Sequence, residues 1–351
     1  MAKSPYDGLE PRAYWRSGVV DRKPTRLEGL YDPRFLIAPD TRVMTAGSCF
    51  AQHVHRAMTE AGYDVIDEEP APTHIGAELA DRYFYGKFSA RYGNVYTSRQ
   101  FLQLLREAEG RHIPAHPVWA KDGFYIDALR PSVEPKGYET PEAVLLARCE
   151  HLAAVRAAVR RADVLVFTLG LTETWADANS GTVYPSAPGV IGEAPEGARI
   201  TFLNLSHDDV VRDLCDVLAH LRTINPAVKL LLTVSPVPLT ATATGGHILL
   251  ASTVSKAILR AAVATIMAED PGVDYFPSYE IITNPAARSR FFAENLRQPT
   301  PKGVETVMAQ FLAAMRAAGK PTPKAAAAQS GPSDAAEAIC EEALNDAQGA
   351  G

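Results

Sequence analysis

Ser48 is the residue whose type and setting best suit covalent chemistry. It follows Gly47 at the end of a short apolar run, Thr41 to Ala46, and precedes apolar residues at helical spacing from Phe50 to Ala61. A serine in a turn between strand and helix exposes its hydroxyl beside backbone N–H groups that can stabilise an oxyanion. We therefore predict Ser48 as a nucleophile, with its own N–H as one oxyanion donor. The alternative is a turn and helix N-cap without chemistry.

The elements around Ser48 predict a parallel α/β sheet. Buried-type apolar runs at Val164–Leu169, Lys229–Val234 and Val273–Phe276 alternate with helical segments, one of them from Ser252 to Ala268. Such alternation implies right-handed crossovers, and ligands of open parallel sheets bind beyond the carboxyl ends of the strands. The residues at or just beyond these strand ends are Ser48, Thr172, Glu173, Ser235, Tyr279 and Glu280.

Four segments divide the chain. Residues 1–40 predict an irregular arm, and residues 41–319 predict one α/β domain. Within that domain, a second strand is expected at Tyr63–Ile66. The stretch from about 70 to 161 shows little strand pattern and is interpreted as an insertion or cap with two helices. Residues 320–351 have few large apolar side chains, which predicts a disordered tail.

Composition narrows the classes of partner. A formal net charge of -6 provides no basic field for nucleic acid or an anionic membrane. No uninterrupted apolar stretch approaches the roughly 18 residues of a membrane span, and the first residues lack a signal-peptide core, which predicts a cytoplasmic protein. The four cysteines form no CxxC pair, so we expect reduced thiols and neither a metal site nor an organic cofactor.

The stretch Gly47-Ser48-Cys49-Phe50-Ala51 is the signature after which the GSCFA family is named, and the chain resembles that family from Thr45 to about Phe311. Similar blocks follow in the family's order at Arg91–Tyr96, Thr168–Glu173, Thr233–Val237, Ser255-Lys256 and Tyr275–Glu280. The family belongs with the SGNH/GDSL esterases and lipases. The resemblance implies a flavodoxin-like three-layer α/β/α fold and a serine nucleophile.

The resemblance also implies roles for other residues. Gly93 and Asn94 match the oxyanion donors of the SGNH pattern, whereas Thr172 and Glu173 stand where Asn and Asp are usual. The segment before the last helix resembles the family's D-x-x-H-P pattern, but Asn295 and Gln298 occupy the acid and histidine positions. Neither amide side chain can act as a general base.

A reactive serine needs a base, so another residue must supply it. His247 follows Gly245-Gly246 in the loop after the Ser235 strand end, and we predict it as the base. Glu280 is the predicted orienting acid. His53 and His74 are alternatives for the base, and Glu173 and Glu294 are alternatives for the acid.

Two functions fit this pattern. The first is a serine O-acyl esterase or acyltransferase acting on an acylated small molecule or carbohydrate through an acyl-Ser48 intermediate, with Gly93, Asn94, Thr172, Glu173 and Ser235 around the substrate. The second is a non-catalytic member that binds a ligand or acts as a scaffold. A histidine nitrogen within about 3 Å of Ser48 Oγ would favour the enzyme.

Three neighbouring residues have less reactive interpretations. The Cys49 thiol is a rival nucleophile at a helix N-terminus, but we expect it to pack into the core. Ser255 is expected to cap a helix start, and Lys256 to make a charge contact near the loop.

Overall fold

The computed structural model describes residues 4–318, and within them the chain forms nine β-strands and eight α-helices. The strands are β1 (Val43–Gly47), β2 (Val118–Lys121), β3 (Phe124–Asp127), β4 (Val164–Leu169), β5 (Glu173–Asp177), β6 (Val183–Tyr184), β7 (Ile200–Asn204), β8 (Lys229–Val234) and β9 (Val273–Tyr275). The helices are α1 (Cys49–Glu60), α2 (Ala77–Arg82), α3 (Ser98–Ala108), α4 (Pro141–Arg161), α5 (His207–Ile224), α6 (Ile248–Glu269), α7 (Ser278–Thr283) and α8 (Pro301–Ala318).

A parallel sheet of four strands in the order β1-β4-β8-β9 forms the centre of the molecule. Its two middle strands are continuous apolar runs because both faces are covered, as predicted. The register pairs Gly47 with Thr168 and Thr168 with Thr233, so the carboxyl ends of three strands lie side by side. The expected α/β fold class is confirmed.

Helices cover both faces of this sheet. Alternate strand residues point to opposite faces, so Met44 and Leu165 pack in one apolar cluster and Val43 and Val164 in another. The first cluster also contains residues of α3, α4, α5 and α6, and the second contains residues of α1, α7 and α8. The result is the three-layer α/β/α arrangement.

Two predicted elements differ from the structure, and one sheet has no counterpart among the predictions. The strand expected at Tyr63–Ile66 is reduced to one bridge at Val65, because the chain bonds β1 only around Val43. Helix α6 begins at Ile248 and not at Ser252. The antiparallel sheet β6-β5-β7, which follows β4 along the chain, was not predicted.

The stretch interpreted as an insertion is partly core. Phe101 of α3 stacks on Phe167 of β4 with ring centroids 4.7 Å apart, and Val155 of α4 lies in the same apolar cluster. A hairpin of β2 and β3 projects from this layer. Buried ion pairs hold the hairpin to α4, including Arg148 Nη1 at 3.0 Å from Asp127 Oδ2.

The N-terminal arm packs on the sheet edge at β9. Tyr31 Oη and Arg34 N both donate to Asp274 Oδ2 at 2.9 Å, and Phe35 is buried against the core. Helix α6 is the one described helix with the length and composition of a membrane span, and in this fold it packs on α5 and β9. The predicted tail, residues 320–351, lies outside the described residues.

Candidate active site

Ser48 occupies the junction of β1 and α1, where the sequence places it. Gly47 has φ +140°, and a Cβ added there would lie 2.4 Å from the carbonyl oxygen of Thr168. Only glycine permits so close an approach to β4. Ser48 therefore begins α1 directly at the carboxyl edge of the sheet.

The Ser48 hydroxyl is buried and has no hydrogen-bond partner among the described residues. Although Ser48 is the N-cap of α1, its side chain accepts no bond from the helix. The backbone differs from our prediction, because Ser48 N donates to Thr168 O at 3.1 Å. That N–H is engaged in holding the strand end and is not a free oxyanion donor.

One wall of the site comes from residues 93–96. Gly93 has φ +67°, and Val95 N donates to Gly47 O at 2.8 Å, which holds this segment against the end of β1. Asn94 is buried and its Oδ1 accepts from Gln52 Nε2 on α1 at 3.0 Å. Asn94 thus lies beside the first turn of α1.

The opposite wall is the chain leaving β4. A Cβ added at Gly170 would lie 2.9 Å from Ser48 Cβ and 3.1 Å from Tyr96 O. Thr168 Oγ1 is a second buried hydroxyl without a partner among the described residues, on the strand that receives the Ser48 N–H. Two unsatisfied hydroxyls on adjacent strand ends mark a place where a ligand can be bound.

The side chains of Thr172 and Glu173 form hydrogen bonds with residues other than Ser48. Thr172 Oγ1 donates to Asn204 Oδ1 at 2.7 Å, and its N–H donates to Ser255 Oγ at 3.0 Å. Glu173 accepts from Thr242 Oγ1 at 2.6 Å. Thr172 therefore joins β7 to α6, and the predicted donor role of its hydroxyl is not seen in this conformation.

Two more predicted residues have local roles. Ser235 Oγ accepts from Val237 N at 3.2 Å, which shapes the turn after β8. The expected helix-start cap at Ser255 is wrong, because Ser255 lies inside α6 and accepts from Thr172.

The predicted base and acid are not assembled with Ser48. His247 is exposed, caps α6, and accepts from Leu249 N through Nδ1 at 3.1 Å. Glu280 accepts from Arg260 Nε at 2.8 Å and Tyr275 Oη at 2.6 Å. Because Ser48 Oγ has no partner, none of the described histidines bonds to it.

The loop before α8 pairs the two amides that stand in the D-x-x-H-P segment. Asn295 Nδ2 donates to Gln298 Oε1 at 2.8 Å, and Gln298 N donates to Asn295 Oδ1 at 3.0 Å. Gln298 shares a cavity wall with Cys49. The segment therefore keeps a side-chain pair next to α1, but with amides in place of a carboxylate and an imidazole.

Lys256 is a site residue that the sequence placed incorrectly. It is buried on α6, where a charge contact near the loop was expected, and its Nζ donates to the carbonyl of Gly170. Its amine is thus one hydrogen bond away from the residue that packs on Ser48. The sequence signal for its burial was a lysine in a helical segment made mostly of apolar residues.

The two histidines that follow Ser48 most closely in the sequence, His53 and His55, are held neutral. Burial lowers the pKa of His53 and of His55 to about 4. His55 Nδ1 lies 2.7 Å from Thr45 Oγ1, beneath the sheet edge. No group of three or more His, Cys, Asp or Glu side chains within residues 4–318 is placed to hold a metal ion.

A sequence model described as the GSCFA family matches residues 42–311. No curated protein matches the chain. Among solved structures, a carbohydrate esterase family 3 protein from Talaromyces cellulolyticus is 12% identical, with 77% of this chain and 94% of that chain covered and a TM-score of 0.36.

Two further structures are similar to the chain. A mutant acetyl esterase with acetate ion is also 12% identical, covering 79% of this chain and 99% of that one, with a TM-score of 0.35. An acetyl xylan esterase from Butyrivibrio proteoclasticus is 14% identical, covering 80% and 65%, with a TM-score of 0.30.

Proposed function

The chain belongs to the GSCFA family, and from that premise we propose that it is a serine O-acyl esterase or acyltransferase with Ser48 as nucleophile. The observation that carries the proposal is the buried, unpartnered Ser48 hydroxyl at the start of α1. Ser48 Oγ attacks the ester carbonyl, its proton leaves with the alcohol, and an acyl-Ser48 forms. Water or a sugar hydroxyl then takes the acyl group.

The substrate in this proposal is an acylated small molecule, with carbohydrate esters as the first class to test. Asn94 lies against the first turn of α1, which follows Ser48 directly, so in this proposal the N–H groups of that turn and the Asn94 amide hold the ester oxygen. An effectively oriented donor contributes a factor of about 100–1,000 in rate, which makes Asn94→Ala a direct probe of this arrangement.

The proton acceptor is one of two residues. His247 would have to give up its bond to Leu249 N and move over Ser48. Lys256 is already buried next to Gly170 and needs no loop movement. Loss of reactivity in His247→Ala with retention in Lys256→Met assigns the role to His247, and the reverse result assigns it to Lys256.

Labelling with a fluorophosphonate probe tests the proposal. The parent is expected to label, and Ser48→Ala is expected to lose the label completely. Ser206→Ala is the matched control, because Ser206 is also a helix N-cap but lies exposed at the start of α5. Labelling that persists in Ser48→Ala, or a folded parent that never labels, would refute the proposal.

A non-catalytic binding function is the second candidate, and two observations favour it: the Asn295–Gln298 amide pair, and a Ser48 Oγ to which no histidine within residues 4–318 bonds. Neither amide can take a proton from a serine. If the parent is inert but Asn295→Asp combined with Gln298→His labels at Ser48, the fold positions the serine and the parent lacks only its base. That outcome would support the binding function.

A further inference from the structure

A long groove separates α1 from α8 and has no role in the chemistry proposed above. Its volume is about 850 Å³, within the range of roughly 300–1,000 Å³ typical of ligand pockets. Residues on every turn of α1 from Cys49 to Ala61 line it, a separation of about 18 Å at 1.5 Å per residue. The facing wall is α8, from Pro301 to Arg316.

The middle of this α1–α8 groove is apolar. Phe50 and Ala57 face Val304, Met308 and Leu312 across it. His53 also lines the groove, and burial keeps its imidazole neutral by lowering its pKa to about 4. These apolar walls suit an uncharged, extended apolar chain.

The ends of the groove differ from its middle. At the end nearest Ser48, Arg297 and Gln298 join Cys49. At the far end, the exposed Arg316 joins Ala61, and the half-buried Arg56 lies between the two ends. The carboxylates on the lining are Glu60 and Glu305, both on exposed helix positions.

We propose that the α1–α8 groove binds the alkyl chain of a carboxylic acid or its ester, with the carboxyl end at Arg297. The guanidinium suits a carboxylate, and the apolar walls suit the chain. Cys49, which lines this end, follows Ser48 in the chain, although Ser48 itself is not a lining residue. Assigning this chain as the acyl part of a substrate rests on the proposed function, whereas binding itself does not.

Calorimetric titration of the full chain with alkanoates tests the groove. Each buried methylene strengthens binding about fourfold, so dodecanoate is expected to bind roughly 200-fold more tightly than octanoate, at one site. Arg297→Met is expected to weaken dodecanoate about tenfold and to leave its methyl ester unchanged. Absence of saturable binding, or affinity independent of chain length, would overturn the proposal.

A blocked groove provides the matched comparison. Ala309 lines the groove on α8, and Ala313 lies one turn further on the same helix, outside the lining; both are exposed. Ala309→Trp is expected to weaken dodecanoate at least tenfold, and Ala313→Trp to change it less than twofold. Equal effects of the two variants would contradict a site in the groove.

Ser48→Ala separates this inference from the proposed function. Unchanged dodecanoate binding by Ser48→Ala, together with a parent that never labels with fluorophosphonate, would support the groove and reject the enzyme. Labelling of the parent without alkanoate binding would reject the groove and leave the enzyme.

Discussion

Replacing Ser48 with alanine should stabilise the protein, although serine is a favoured N-cap residue. A Ser-to-Ala change at an N-cap usually costs about 0.5–2 kcal/mol because a bond to the helix is lost. Ser48 makes no such bond, and its buried hydroxyl has no partner among the described residues. An unsatisfied buried polar group costs about 1–3 kcal/mol, so its removal should increase the free energy of unfolding.

The expected size follows from these terms. After subtraction of the packing energy lost with one oxygen atom, the free energy of unfolding should increase by about 1 kcal/mol. With an unfolding entropy of about 2.1 cal/mol/K per residue, that gain raises Tm by only about 1.5 °C for some 300 ordered residues. Urea unfolding followed by tryptophan fluorescence measures the same change as a higher midpoint at constant slope.

Ser206→Ala is the control of opposite sign. Ser206 caps α5 in a reciprocal capping box with Asp209, so its loss should destabilise the protein by about 1 kcal/mol. If Ser48→Ala lowered the urea midpoint as Ser206→Ala does, Ser48 would be an ordinary N-cap, and its hydroxyl would not be an unsatisfied group kept for chemistry.

Three further predictions follow from single contacts. Gly170→Ala should abolish fluorophosphonate labelling with a modest loss of stability, because its Cβ would lie 2.9 Å from Ser48 Cβ; full labelling would show that the wall can move. Stability should fall as pH drops from about 6.5 to about 4, because burial lowers the pKa of folded His55 to about 4, whereas the same imidazole in the unfolded chain already takes up a proton near pH 6.5. His55→Gln should make Tm depend less steeply on pH over this range. Arg148→Met should lower the free energy of unfolding by about 3 kcal/mol, because it leaves Asp127 with one fewer buried partner. Urea unfolding measures this change, and a loss under about 1 kcal/mol would contradict it.

The main sheet could be read from the sequence because its signal is local. β4 and β8 match the predicted apolar runs residue for residue, since strands covered on both faces must be apolar throughout. β5 and β7 gave no such signal, because they are short and half-buried and carry mixed side chains. Their pairing depends on tertiary contacts that no local pattern encodes.

The position of Ser48 in the fold could be predicted from the sequence, but the hydrogen bonds around it could not. The glycine and serine at the β1–α1 junction required only local geometry. The partners of Thr172 and Lys256 lie 83 and 86 residues away, so their hydrogen bonds arise only when α6 packs on the end of β4. The engagement of Ser48 N with Thr168 likewise depends on the register of β1 on β4.

That register also decides which hydroxyls at the strand ends find a partner. Gly47, Thr168 and Thr233 form one row across β1, β4 and β8. Thr233 bonds Ser278 below the edge, whereas Thr168 Oγ1 is buried without a partner among the described residues. Thr168→Val keeps the shape and removes the unmet bond, so by the reasoning applied to Ser48 it should not destabilise the protein. If Thr168→Val preserves stability yet lowers the rate of labelling at Ser48, the two hydroxyls act on the same bound group.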